Sequence, residues 1–149
     1  MGFDLFREYD ERDKPADYFR WNIWGFPPIR FLGELYGWIP MGTISPAWTD
    51  EDDTFHPEEE CGYESNSGQT VCAKDAKNWA EALKVAVKEL KKRKTVKSND
   101  NLDDKFFKER RKIWDRDAET IKNWFSSPDD IQYIEKYIEF LEKGEFTIH

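Results

Sequence analysis

Apolar residues recur at helical spacing in three stretches of the chain. Ala76, Trp79, Ala80, Leu83, Val87 and Leu90 form one stripe at i, i+3, i+4, i+7 spacing, which predicts a helix over about 73–94. Lys91, Lys92, Arg93 and Lys94 fall at its end, where cations complement the helix dipole. Phe106, Phe107, Ile113, Trp114, Ala118, Ile121, Trp124 and Phe125 keep the same period and predict a second helix over about 103–125. Ile131, Ile134, Tyr137, Ile138 and Leu141 predict a third over 128–143. Its start is well marked: Ser127 can cap, Pro128 suits the first helical position, and Asp129 and Asp130 favour the positive end. Gly144 is a good stop.

The pattern changes outside these stripes. Phe3, Leu5 and Phe6 around Asp4 give a short strand signal, and Glu145 to His149 alternates in the same way. Pairing of those two pieces would tie the termini together. Tyr9 to Asp17 reads as a loop, and Ala16 to Trp21 as one helical turn. Ile29, Phe31, Leu32, Leu35 and Tyr36 suit a short helix that starts near Pro28 and ends at Gly37. Ile39 to Gly68 reads as one long, acidic, irregular connection broken by Pro40, Pro46 and Pro57. Trp48 and Phe55 within it suggest that parts fold back onto the body. The expected fold is a mainly helical α+β single domain spanning 1–149. Three helices pack on an aromatic-rich N-terminal segment, with a minor two-stranded piece from the termini.

That aromatic segment, Tyr18 to Trp38, holds three of the seven Trp residues. Burial of each ring stabilises by roughly 1.5–3 kcal/mol. So dense a run of rings is core or a binding surface. Arg20, Asn22 and Arg30 sit among the rings, and buried polar groups need partners. Arginine and asparagine beside rings also suit a base or a nucleotide.

Charge adds an asymmetry. The 149 residues carry a net charge of −8, which disfavours general nucleic-acid binding. From Ser45 to Ser65 there are eight acids and no Lys or Arg, whereas Lys74 to Lys112 holds fourteen bases against seven acids. The molecule is therefore expected to be electrically two-sided. Mean hydropathy is −0.89, and no apolar run is long enough for a membrane span. The start of the chain lacks an apolar signal core, so a cytoplasmic location is expected.

Candidate chemistry is sparse. His56, Cys61, Cys72 and His149 could supply zinc ligands, but their intervals are long for a zinc module. Asp50 to Asp53 resembles part of a calcium loop without its glycine or closing glutamate. Neither a metal nor a cofactor is expected. Cys61 follows Glu58, Glu59 and Glu60, which disfavour a thiolate, and no Gly-rich phosphate loop occurs. The cations and rings of Lys105 to Trp114 suit a helix with rings inward and bases outward. No catalytic residues emerge, and a non-enzymatic protein is expected.

The block Tyr18-Phe19-Arg20-Trp21-Asn22-Ile23-Trp24, the turn Ser65-Asn66-Ser67-Gly68 ahead of a helix, and the ending Gly144-Glu145-Phe146-Thr147-Ile148 occur in that order. In this the chain resembles a group of small, uncharacterised phage and bacterial proteins. These carry a Tyr-Phe-Arg-Asn-Asn-x-Trp-Trp block, a Ser-Asn-Asp-Gly segment and a Gly-Phe-Glu-Ile tail. The chain departs from that pattern at Trp21, Gly25 and Ser67, and in the long acidic loop. The resemblance implies a phage or prophage setting and a site built from Tyr18, Arg20, Trp21, Asn22, Trp24, Ser65, Asn66, Ser67 and Gly68. Arg20 and Asn22 are expected to reach the Ser65–Gly68 turn across a cleft roofed by Trp21 or Trp24. Two function classes stay open. One is a binding protein that blocks or sequesters a host component, as a counter-defence inhibitor does, or captures a small nucleotide-like ligand in the aromatic pocket. The other is an enzyme with an unrecognised site.

Overall fold

Apolar stripes at period 3.6 and short alternating segments at period 2 build two layers, helices on one face of an antiparallel sheet. The computed structural model describes residues 2–7, 17–93 and 110–149. The strands are β1 (Gly2–Phe6), β2 (Tyr18–Asn22), β3 (Thr43–Ser45), β4 (Trp48–Thr49), β5 (Phe55–His56), β6 (Glu59–Cys61), β7 (Gln69–Val71) and β8 (Phe146–Ile148). The helices are α1 (Phe26–Leu35), α2 (Ala73–Lys92), α3 (Ala118–Trp124) and α4 (Pro128–Glu142); residues 110–114 are also helical. Six strands form one sheet in the order β2-β1-β8-β7-β3-β6, and β4 pairs with β5.

This corrects the expected fold. The strands of the two termini do pair, Leu5 opposite Ile148, but they are the second and third of six. The stretch from Ala16 to Trp21, read as a helical turn, gives way at Tyr18–Asn22 to an edge strand in register with β1. The stretch 39–68, read as irregular, contains β3 to β6. The predicted 103–125 helix is interrupted within its described part. Arg116 adopts φ 59°, and Asp117 caps a new helix by accepting from Thr120 N–H. The remainder of that expectation, and the loop at 9–17 apart from Asp17, lie outside the described residues.

The core sits between the layers. Phe3, Leu5, Val71, Phe146 and Ile148 line the inner sheet face, and Trp79, Leu83, Tyr137 and Leu141 meet them from α2 and α4. Alternation leaves Asp4, Phe6, Thr70 and Thr147 half-buried on the outer face. The stripe that predicts α2 is the buried one. Trp38 stacks on Trp79 with ring centres 4.2 Å apart and planes 2° from parallel. That stack lies close against α1 because residue 33 is glycine: a Cβ there would be 2.7 Å from the Trp79 indole. Among the described residues no helix is long and apolar enough to cross a membrane.

Candidate functional site

The structure brings the two sequence-predicted stretches together, though not as an open cleft between rings. Gly2 is the meeting point. It lies opposite Asn22 in the β1–β2 ladder, and its carbonyl accepts from Asn66 Nδ2 at 3.0 Å. A side chain at Gly2 would collide with Arg20, 2.9 Å away. Arg20 is more than half exposed, with Nε 3.8 Å from Asp4. The Tyr18 hydroxyl donates to the same carboxylate at 2.5 Å. Asn22 is occupied locally, its side-chain oxygen accepting from the N–H groups of Trp24 and Gly25 at 3.0 and 2.7 Å.

The two rings do not roof a pocket. Trp21 is buried against Tyr133, Tyr137 and Phe125. Trp24 is exposed, but the Arg110 guanidinium lies 3.8 Å over its ring. The space beside it, between Pro27, Pro28, Trp114 and Trp124, is about 20 Å³, room for about one water. Ser65, Ser67 and Gly68 serve the fold: the Ser65 carbonyl and Ser67 N–H bond the Gln69 side chain, and Gly68 N–H donates to Ile148 O.

Sequence reasoning missed the residues that organise this end. Gln69 is fully buried and uses both ends of its amide to hold the 62–67 loop. Asp75 is also fully buried. It accepts from Trp38 Nε1 at 2.9 Å, Met41 N at 3.1 Å and the Tyr63 hydroxyl, and that hydroxyl in turn accepts from Gly42 N at 3.0 Å. Burial and the Asp75 carboxylate push the Tyr63 phenol well above its ordinary value. Asp75 also stands in the first turn of α2, where the helix dipole favours an anion. That acid at a helix start was the one sequence signal available. Arg30, 7% exposed, packs by Phe26 and Phe31 and meets Glu64 at 3.5 Å, joining the loop to α1.

The most exposed apolar surface lies elsewhere, on the acidic stretch. Strands β3 and β4 return through β5 and β6 as one hairpin in unbroken register. Ser45 faces Glu59, and three residues further along each strand Trp48 faces His56. The ladder parts only where Pro46 and Pro57 intervene, since proline has no N–H to give. Asp50 shapes the tip: its carboxylate accepts from the N–H groups of Asp52 and Thr54 and meets His56 Nε2, each at 2.9 Å. These bonds, that with His56 first, hold the Asp50 carboxyl below the usual range. Trp48 stacks on His56 at 4.2 Å. Trp48 and Phe55 remain 56% and 65% exposed, which corrects the expectation that they fold back.

Among the described residues no group of three His, Cys, Asp or Glu side chains is placed to hold a metal. Comparison of the chain with protein-family models, with curated proteins and with solved structures gives no match.

Proposed function

We propose that this is a non-enzymatic binding protein that docks a basic protein partner on its acidic, ring-bearing hairpin. One observation carries the reading. Trp48 and Phe55 stand exposed on a ribbon pinned by Asp50, within a stretch of eight acids and no base. Exposed rings in a pre-shaped element supply contact area with little ordering cost. Acids around them steer a positive partner and raise its association rate. Ile39, Met41 and Ile44, all exposed, extend the apolar surface toward the sheet. The resemblance to small phage and bacterial proteins, which implies a phage or prophage setting, supports a partner that is a host component, blocked or sequestered in the bacterial cytoplasm. Weighing against a nucleotide-like ligand in the aromatic block are the burial of Trp21 and the Arg110 cover on Trp24.

The test is capture from bacterial lysate by the wild-type chain and by a Trp48→Ala, Phe55→Ala variant. The reading expects a basic protein that is retained at low salt, released as salt rises, and lost with the variant. Retention unchanged in the variant, or capture of an acidic protein, contradicts it. Both side chains are exposed, so the variant should keep the wild-type melting temperature to within about 2 °C.

A further inference from the structure

Where β3, β6, β7 and β8 end together, the outer sheet face holds a trough of about 610 Å³. Its origin lies in the register. Thr43 faces Cys61, Ile44 faces both Glu60 and Thr70, and Val71 faces Phe146. One residue further along, the same registers set Gly42 between Gly62 and Cys72, and Cys72 beside Glu145. Those positions share the outer face with Ile44, Thr70 and Glu60, because side chains alternate. Two glycines side by side leave a floor without side chains. Glu60 and Glu145 stand at the walls, Met41 and Ile44 add apolar surface, and among the described residues no base lines the space.

The chemistry of the floor selects the occupant. The N–H groups of Met41 and Gly42 both turn inward, to Asp75 and to the Tyr63 hydroxyl, so neither is offered to the trough. An anion would meet two carboxylates and neither of those donors. Asp75 is a buried carboxylate whose hydrogen-bond donors are the neutral Trp38, Met41 and Tyr63 groups. A slim apolar stem ending in a cation fits all of this. We infer that the trough seats a lysine or arginine side chain of the basic partner. The inference rests on the docking reading above, and the trough continues the same hairpin through Ile44 and Glu60.

Cys72, free and half-buried, shares the trough's face and reports its occupancy, whereas Cys61 pairs with Thr43, its thiol 3.5 Å from the Ser65 hydroxyl on the other face, and serves as the control. The experiment titrates the full chain with a labelled ten-residue lysine peptide and follows alkylation of each cysteine by iodoacetamide. The peptide should slow alkylation of Cys72 several-fold relative to Cys61, and added salt should restore the rate. A Glu60→Gln, Glu145→Gln variant should bind the peptide about tenfold more weakly and lose the protection. Binding that leaves Cys72 at its free rate overturns the trough and leaves the hairpin reading standing. Protection and affinity unchanged by Trp48→Ala and Phe55→Ala overturn the hairpin reading instead.

Discussion

At the scale of single residues, stability concentrates in groups that the hydrophobic pattern does not mark. Asp75 holds three donors away from water, so Asp75→Ala should cost about 3 kcal/mol, because buried donors lose their acceptor. A thermal melt should show a fall of roughly 10 °C. Gly33→Ala is a second such site. A Cβ 2.7 Å from Trp79 must push the stacked indoles apart, at a cost of about 1–3 kcal/mol. Tyr63 and Tyr137 give a pH dependence. Burial raises both phenols above their ordinary value, with the Asp75 carboxylate adding to the rise at Tyr63. Stability from a raised group is complete below the unfolded value, about 10, and is lost as pH climbs past it. Alkaline titration should therefore show phenolate absorbance appearing in a late step that coincides with unfolding, and Tyr63→Phe should make that step smaller. Asp75 and Gln69 were illegible beforehand because a buried acid or amide is identified by partners distant in sequence.

Among the elements, α1, α2, α4 and the two terminal strands were legible, and the strands between 39 and 68 were not. The buried stripe of α2 and the start of α4 follow from periodicity and capping, which act within a few residues. Ser127 does cap α4, accepting from Asp130 N–H. Ser127→Ala should cost about 1 kcal/mol and lower the melting temperature by roughly 3 °C. The strands of two or three residues within 39–68 carry too few positions for alternation to stand out, and their identity is set by neighbours across the sheet. The hairpin was hidden further by its acids and by Pro46 and Pro57, which suggest a loop. Those prolines do interrupt the ladder, but the register survives them. The bond to His56 and the amides of the turn lower the Asp50 carboxyl. A lowered acid contributes above its unfolded value and stops contributing as pH falls through its folded one. The hairpin tip should therefore loosen below about pH 4, seen as movement of the Trp48 and His56 ring resonances. Asp50→Asn should place those resonances at loosened positions already at neutral pH.

For the molecule as a whole, the sheet order separates the two candidate surfaces. The stretch that the sequence singled out, Tyr18 to Asn22, is one edge of the sheet, and the acidic hairpin carries the other. The Ser65–Gly68 turn reaches Gly2, the ladder partner of Asn22, through Asn66, while the Asn22 side chain bonds locally and Arg20 meets Asp4. The lack of an open cleft there was not legible, because whether a ring faces the core or solvent depends on which side of a strand it occupies and on what packs there. Trp21 faces inward onto α4, while Trp48 stands on an exposed ribbon. The stretch that carries the hairpin, Ser45 to Ser65, holds eight acids and no base. The central claim is that a basic partner engages the hairpin edge. An NMR titration of the labelled chain with the ten-residue lysine peptide tests it most directly. The account predicts shifts confined to Ile44, Trp48, Phe55, Glu59 to Cys61 and Glu145, abolished by Trp48→Ala with Phe55→Ala. Shifts centred on Arg20, Asn22 and Asn66 at the opposite edge, with the hairpin unmoved, would contradict it.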